Sequence, residues 1–170
     1  MQEMVIYGVS FDLVGKQPIV LLKTSDGNKY LPIWIGHPEA AAILMKLQGA
    51  STPRPLTHDL VTSMLEQLDA QVTRVVVTEL RENTFYATIT VQQNGSEIEI
   101  DSRPSDAIAL AVRAEAPIFA ADRVIEESAI EFEGEADEDV LVDEFKKFLD
   151  RVSAEDFAEA EVEGDEPADD

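Results

Sequence analysis

The acidic residues of this chain crowd into its last third, which limits where a folded core can lie. Residues 1–120 carry 14 Asp and Glu against 9 Lys and Arg, whereas residues 121–170 carry 21 against 4. The first stretch is therefore close to neutral, at −5, and the second holds −17 of a total of −22. Like charges at that density repel one another and leave little to bury, so the core is expected in the first stretch. The 170 residues suit one domain plus a tail. So acidic a chain is a poor passive binder of nucleic acid or anionic membrane. A nucleic-acid role would need a local basic or metal-bearing site within the first 120 residues. There is no cysteine, which removes disulfides, thiolate metal sites and a cysteine nucleophile. The start, MQEMVIYGVSFDLV, lacks the basic and apolar regions of a signal peptide, and no stretch is apolar for long enough to span a membrane. The expectation is a soluble cytoplasmic protein without membrane association.

Patterning within the first 130 residues predicts an α+β fold. Its antiparallel or mixed sheet would be built from two halves, each a hairpin or meander followed by a helix. Met4–Phe11, Pro18–Thr24 and Lys29–Ile35 are rich in β-branched and aromatic residues, and Ser25-Asp-Gly-Asn28 closes a hairpin between the last two. Pro38 then opens an alanine-rich helix from Glu39 to about Gln48, with Glu39 where the helix dipole favours an acid. A second helix is predicted over Thr57–Asp69, capped by Thr57, with Leu60, Met64, Leu65 and Leu68 as its inward stripe. Val72–Leu80, Thr84–Val91 and Glu97–Ile100 form a meander. A helix capped by Ser102 or Ser105 follows and runs to about Ala114, then a short strand at Pro117–Ala120 and a short helix over Asp122–Ser128. The junctions IWIGHPEA and IEIDSRPSDA echo one another, as a duplicated unit or as two uses of the same cap chemistry.

This gives a domain over residues 1–130 and an acidic linker over 131–139. An amphipathic C-terminal helix and turn follow over 140–158, then a disordered acidic tail over 159–170. Leu141, Phe145, Phe148, Leu149 and Val152 fall at helical spacing, so this helix either binds a protein partner or folds back on the core.

Three clusters carry candidate chemistry. Ser102-Arg-Pro-Ser-Asp106 sits at a strand-to-helix junction, where free N–H groups and Arg103 suit an anion, Asp106 suits a divalent cation, and simple capping suits all of them. Arg54-Pro-Leu-Thr-His-Asp59 places His58 beside Asp59 at a helix start, which reads as a general base with a metal-binding neighbour or again as a cap. Glu39 either joins Asp59 and Asp106 in one acidic pocket or complements its own helix dipole. No Walker, dinucleotide, HxxxH or GxSxG pattern is present. Trp34 and Tyr30 read as core residues rather than a base-stacking platform.

Taken in order, Tyr30-Leu-Pro-Ile-Trp-Ile-Gly36 with Glu39-Ala40, Arg54-Pro-Leu-Thr-His-Asp-Leu60, and Ser102-Arg-Pro-Ser-Asp-Ala-Ile-Ala-Leu110 with Arg113 and Pro117-Ile118 closely resemble the bifunctional nuclease family. The resemblance spans about residues 3–130, and Phe145–Asp150 with Ser153–Phe157 looks like the tail of actinobacterial members. It implies an α+β domain, homo-oligomers and nuclease activity on RNA and DNA. Glu39, Arg54, His58, Asp59, Arg103, Ser105 and Asp106 fall within its motif blocks, whereas His37 falls at a variable position.

The leading expectation is a divalent-metal-dependent nuclease. Asp59, Asp106 and Glu39 would hold Mg²⁺ or a similar ion. Arg54, Arg103 and Ser105 would bind phosphate, and His58, Asp59 and Asp106 would carry catalysis. The alternative is a non-catalytic homo-oligomeric interaction module or a sensor of small anions. In either case the acidic C-terminal segment should repel nucleic acid. Deleting residues 131–170 is therefore expected to tighten nucleic-acid binding at low salt, measured by fluorescence anisotropy. Unchanged affinity would remove the electrostatic role.

Overall fold

The computed structural model of the chain describes residues 1–11 and 16–131. The expected acidic linker, C-terminal helix and tail lie outside the described residues, apart from Glu131. Within them the chain folds in the order β1 (Gln2–Phe11), β2 (Pro18–Thr24), β3 (Lys29–Trp34), α1 (His37–Leu47), α2 (Thr57–Gln67), β4 (Ala70–Arg81), β5 (Thr84–Gln93), β6 (Ser96–Ser102), α3 (Pro104–Ala114), β7 (Ile118–Ala120), α4 (Asp122–Ser128) and β8 (Ile130–Glu131). The fold is α+β, as the patterning predicts.

The strands form one eight-stranded sheet in the order β6-β5-β4-β7-β1-β2-β3-β8. Every pairing is antiparallel except β4 with β7. Each expected meander is present, β1–β2–β3 and β4–β5–β6, and β7 lies between their first strands. Each meander leads toward a helix with proline in its first two positions, Pro38 second in α1 and Pro104 first in α3. The β4–β5 and β5–β6 turns place Glu82, Asn83, Asn94 and Gly95 at positive φ, the backbone that two-residue hairpin loops require. The Ser25–Asn28 turn differs: it has no positive φ, and Gly27 is needed because a Cβ there would stand 2.7 Å from Thr24 Oγ1.

Period-two alternation sorts β2 and β3 into two faces. Val20, Leu22, Leu31 and Ile33 join the main core, while Ile19, Leu21 and Tyr30 form a second buried cluster with Trp34 and Ile130 packed against it. Helices α1, α3 and α4 contribute Ala40, Ile43, Ala107–Ala111, Val124 and Ile125 to the main core. No helix among the described residues is long and apolar enough to cross a membrane.

Three local expectations are corrected. Of the expected stripe, Leu65 packs against the core, but Leu60, Met64 and Leu68 are each more than half exposed, and Val61 turns inward beside Leu65. Thr57 lies inside α2 rather than capping it. Leu56 is the N-cap, and its N–H donates to the Asp59 carboxylate at 2.9 Å. Neither Ser102 nor Ser105 caps α3, because Pro104 at the first helical position makes Arg103 the N-cap and leaves Ser105 buried. The two-residue β8, paired with Tyr30 and Lys29 of β3, was not predicted.

Burial sets the expected ranking of core substitutions. Ile108→Ala, at a fully buried position, should cost about 2–5 kcal/mol in urea unfolding. Leu65→Ala should cost over about 1 kcal/mol and Met64→Ala no more than about 0.5 kcal/mol. Comparable costs for Leu65 and Met64 would restore the stripe expected from the sequence.

Candidate active site

The amino-terminal turns of α1, α2 and α3 meet at one place, and their polar side chains bond across it. Asp106, in the first turn of α3, is the centre. Its Oδ1 lies 2.8 Å from Nε2 of His58 on α2, and its Oδ2 accepts from Nε of Arg103 at 2.7 Å. The Arg103 guanidinium also donates to Oε1 of Glu39 on α1 at 3.1 Å. One arginine thus joins two carboxylates from different helices, and the second of these holds the imidazole. Burial of Asp106 opposes its ionisation, but hydrogen bonds from Arg103 and His58, with their charges, outweigh it and hold the carboxyl below its ordinary range. The hydrogen bond to Asp106 in turn raises the Arg103 guanidinium above its usual value.

Access differs sharply within the cluster. The His58 side chain is 12 % exposed and that of Arg103 is 65 % exposed. Arg103 is thus free to exchange partners while the imidazole is held. His58, Asp106, Arg103 and Glu39 line a cleft of about 660 Å³ whose other walls include Ala42, Met45, Val61 and Leu110. Gly36 gives Glu39 its place, since a Cβ there would collide with the Glu39 carboxylate.

Asp59 is engaged elsewhere. Its Oδ2 accepts from the Leu56 N–H, and its Oδ1 accepts from Nε of Arg113 at 2.7 Å. The Leu56 hydrogen bond, then Arg113, lower its pKa. Arg113 also donates to the carbonyls of Ala109 at 2.9 Å and Ala42 at 3.2 Å. Its 6 % exposed side chain therefore ties α1, α2 and α3 together. The sequence placed Arg113 in a motif block but gave it no task. The available signal was a lone cation in the last turn of an otherwise apolar, alanine-rich helix, where a buried charge requires partners.

Arg54 is exposed on the α1–α2 loop and forms no ion pair among the described residues. Ser105 is buried in the first turn of α3 and lines a separate cleft that also touches Arg103. His37 is exposed at the start of α1. The structure thus brings together Glu39, His58, Arg103 and Asp106, and holds Asp59 on Arg113 instead.

This arrangement bears on a metal. Among the described residues, no group of three or more His, Asp or Glu side chains is placed to hold one ion. Where Glu39 and Asp106 approach, the Arg103 guanidinium is hydrogen-bonded to both, and Asp59 is taken by Arg113. As folded, these residues do not fit a preformed three-carboxylate centre, and the chemistry assigned to the cluster is that of its own side chains.

A family profile described as the bifunctional nuclease domain matches residues 20–133. The chain belongs to the bifunctional nuclease domain family. An uncharacterized protein of Mycobacterium tuberculosis is 38 % identical over 164 residues, covering 92 % of this chain and 98 % of its own length. Bifunctional nuclease 1 of Oryza sativa subsp. japonica is 32 % identical over 103 residues, or 58 % of this chain. Bifunctional nuclease 1 of Arabidopsis thaliana is 30 % identical over 105 residues, or 59 % of this chain. The matches span 31 % and 32 % of these plant proteins, about a third of each.

The Arg113 clamp generates a stability prediction. Arg113→Ala should cost about 2–3 kcal/mol, below the about 3–5 kcal/mol of a fully buried broken pair because Asp59 is 37 % exposed. Since Asp59 and Asp106 titrate below their ordinary value, the stability they contribute is complete above about pH 4 and is lost as pH falls through the lowered folded values. Asp59→Asn should flatten the fall in melting temperature below about pH 4; an unchanged acid limb would remove Asp59 from that linkage.

Proposed function

We propose that this chain hydrolyses phosphodiester bonds in RNA and DNA at the Glu39–Arg103–Asp106–His58 cluster. The observation that carries the proposal is the short His58–Asp106 contact beside an exposed arginine. The nuclease names of the plant relatives and the family support it.

Each side chain then has a task that its surroundings suit. Arg103 turns from Glu39 toward a non-bridging phosphate oxygen, for which its planar fork is the matching donor. Asp106 fixes the tautomer and orientation of the imidazole, as a carboxylate does in a catalytic triad. His58 takes a proton from the attacking water as the new P–O bond forms, the leaving oxygen takes up a proton from solvent as the old bond breaks, and His58 then returns its proton to solvent. Because water is the nucleophile, no 2′-hydroxyl is required, and ribose and deoxyribose backbones are both substrates. Arg103 supplies a local cation at the site, and a divalent ion would offset the remaining negative charge of its two carboxylates.

Dependence on a divalent ion is a separate part of the proposal. It is motivated by the two carboxylates that flank Arg103, because Mg²⁺ bound to substrate phosphates needs only one or two protein carboxylates. Asp59 and Arg54 act outside the reaction in this reading, as a positioning residue and as a peripheral contact to the strand. A homo-oligomeric assembly and a cytoplasmic location belong to the same proposal.

Purified full-length protein should cleave labelled single-stranded RNA and DNA. Asp106→Asn should lower the rate by about 10²-fold or more, and Arg103→Lys by about 10²–10³-fold. EDTA should abolish cleavage and added Mg²⁺ restore it. Undiminished activity in Asp106→Asn would remove this cluster from catalysis, and undiminished activity in EDTA would remove the ion alone.

A further inference from the structure

Arg103 has a second face. Beyond the cleft that holds His58, it also lines a smaller one of about 330 Å³ between the end of β3, the β4–β5 turn and the start of α3. Its walls include Trp34 and Phe85, and Gln17 and Asn83 bring side-chain amides. None of its lining residues is acidic, whereas the cleft on the other side of Arg103 carries Glu39 and Asp106, and the one beside Arg113 carries Asp59. In a chain of net charge −22, a concave surface with an arginine at its rim, aromatic walls and no carboxylate is set apart from its surroundings.

We propose that this small cleft is a nucleobase subsite, which receives the base next to the phosphate held by Arg103. The proposal rests on the phosphodiesterase reading for the place of that phosphate. The chemistry follows from the lining. Aromatic side chains hold bases through their π-faces with little regard to sequence or sugar, and amides hydrogen-bond to base edges. The volume lies at the small end of the range for small-molecule clefts, which suits one planar ring system rather than a length of strand. A subsite of this kind gives an acidic protein a grip on a polyanion that owes little to long-range electrostatics.

Trp34 is the sole tryptophan and lines the cleft, although it also packs against Ile19, Leu21 and Tyr30, so its emission is read together with the Phe85 variant. The test uses the full chain carrying His58→Ala, to suppress turnover. It is titrated with hexathymidylate and with an abasic deoxyribose-phosphate hexamer of equal charge. Hexathymidylate should change the Trp34 emission saturably and bind about tenfold or more tighter than the abasic oligomer. Phe85→Leu, which keeps apolar volume and removes the ring, should weaken hexathymidylate about fivefold or more and leave the abasic oligomer unchanged. Equal affinity for the two oligomers, or no effect of Phe85→Leu, would overturn the subsite. The two readings fail separately. Base-dependent binding by a chain that never cleaves would keep the subsite and retire the nuclease reading. Cleavage lost in His58→Ala with base-independent binding would do the opposite.

Discussion

The arrangement of the site depends on Arg113, a guanidinium buried among three helices. It reaches from the last turn of α3 to the Ala42 carbonyl of α1 and to Asp59 at the start of α2, and it also bonds Ala109 on its own helix. A charge this enclosed is costly unless its donors are satisfied, so the three helix positions are fixed by where those acceptors stand. Asp59 is adjacent in sequence to His58. Holding one residue on Arg113 therefore sets the turn from which the other reaches Asp106. The clamp and the cluster are two sides of one helix start.

The sheet supplies the rest of the frame. Strands β3 and β6 lead through short junctions into α1 and α3, and proline at each helix start fixes the entry of the chain. That brings Glu39 and Asp106 onto one guanidinium, that of Arg103. The result is an electrostatic arrangement that the overall composition conceals. The acid excess sits mainly past residue 120, while the described domain holds an exposed arginine between two carboxylates, with a carboxylate-bearing cleft on one side and an acid-free cleft on the other. A phosphate would compete with Glu39 for that arginine.

Much of the fold was legible because its punctuation is chemical. Pro38, Pro104 and the Asn83 and Asn94-Gly95 turns mark element ends that the structure keeps. The phase of α2 was not legible. Leu65 was placed correctly, but Leu60, Met64 and Leu68 repeat at the same period as Val61 and Leu65, and only the tertiary packing, with Asp59 held on Arg113 from 54 residues away, separates the two stripes. The caps failed for a similar reason. Ser102, Ser105 and Thr57 are suitable by residue type, but proline geometry and the Asp59 carboxylate already determine the helix starts. At the site, the motif blocks contained the four residues that meet. Nothing in them distinguished Asp106, which holds the imidazole, from Asp59, which holds a structural arginine, because both are aspartates in a first helical turn.

The central claim is that the imidazole held on Asp106 moves the proton in phosphodiester cleavage. It is tested most directly by chemical rescue of the His58→Ala protein in single-turnover cleavage of a labelled oligonucleotide. The account predicts that the substitution abolishes cleavage, that free imidazole restores it in proportion to its neutral form, and that the wild-type rate is indifferent to imidazole. A His58→Ala protein that cleaves at the wild-type rate would contradict it.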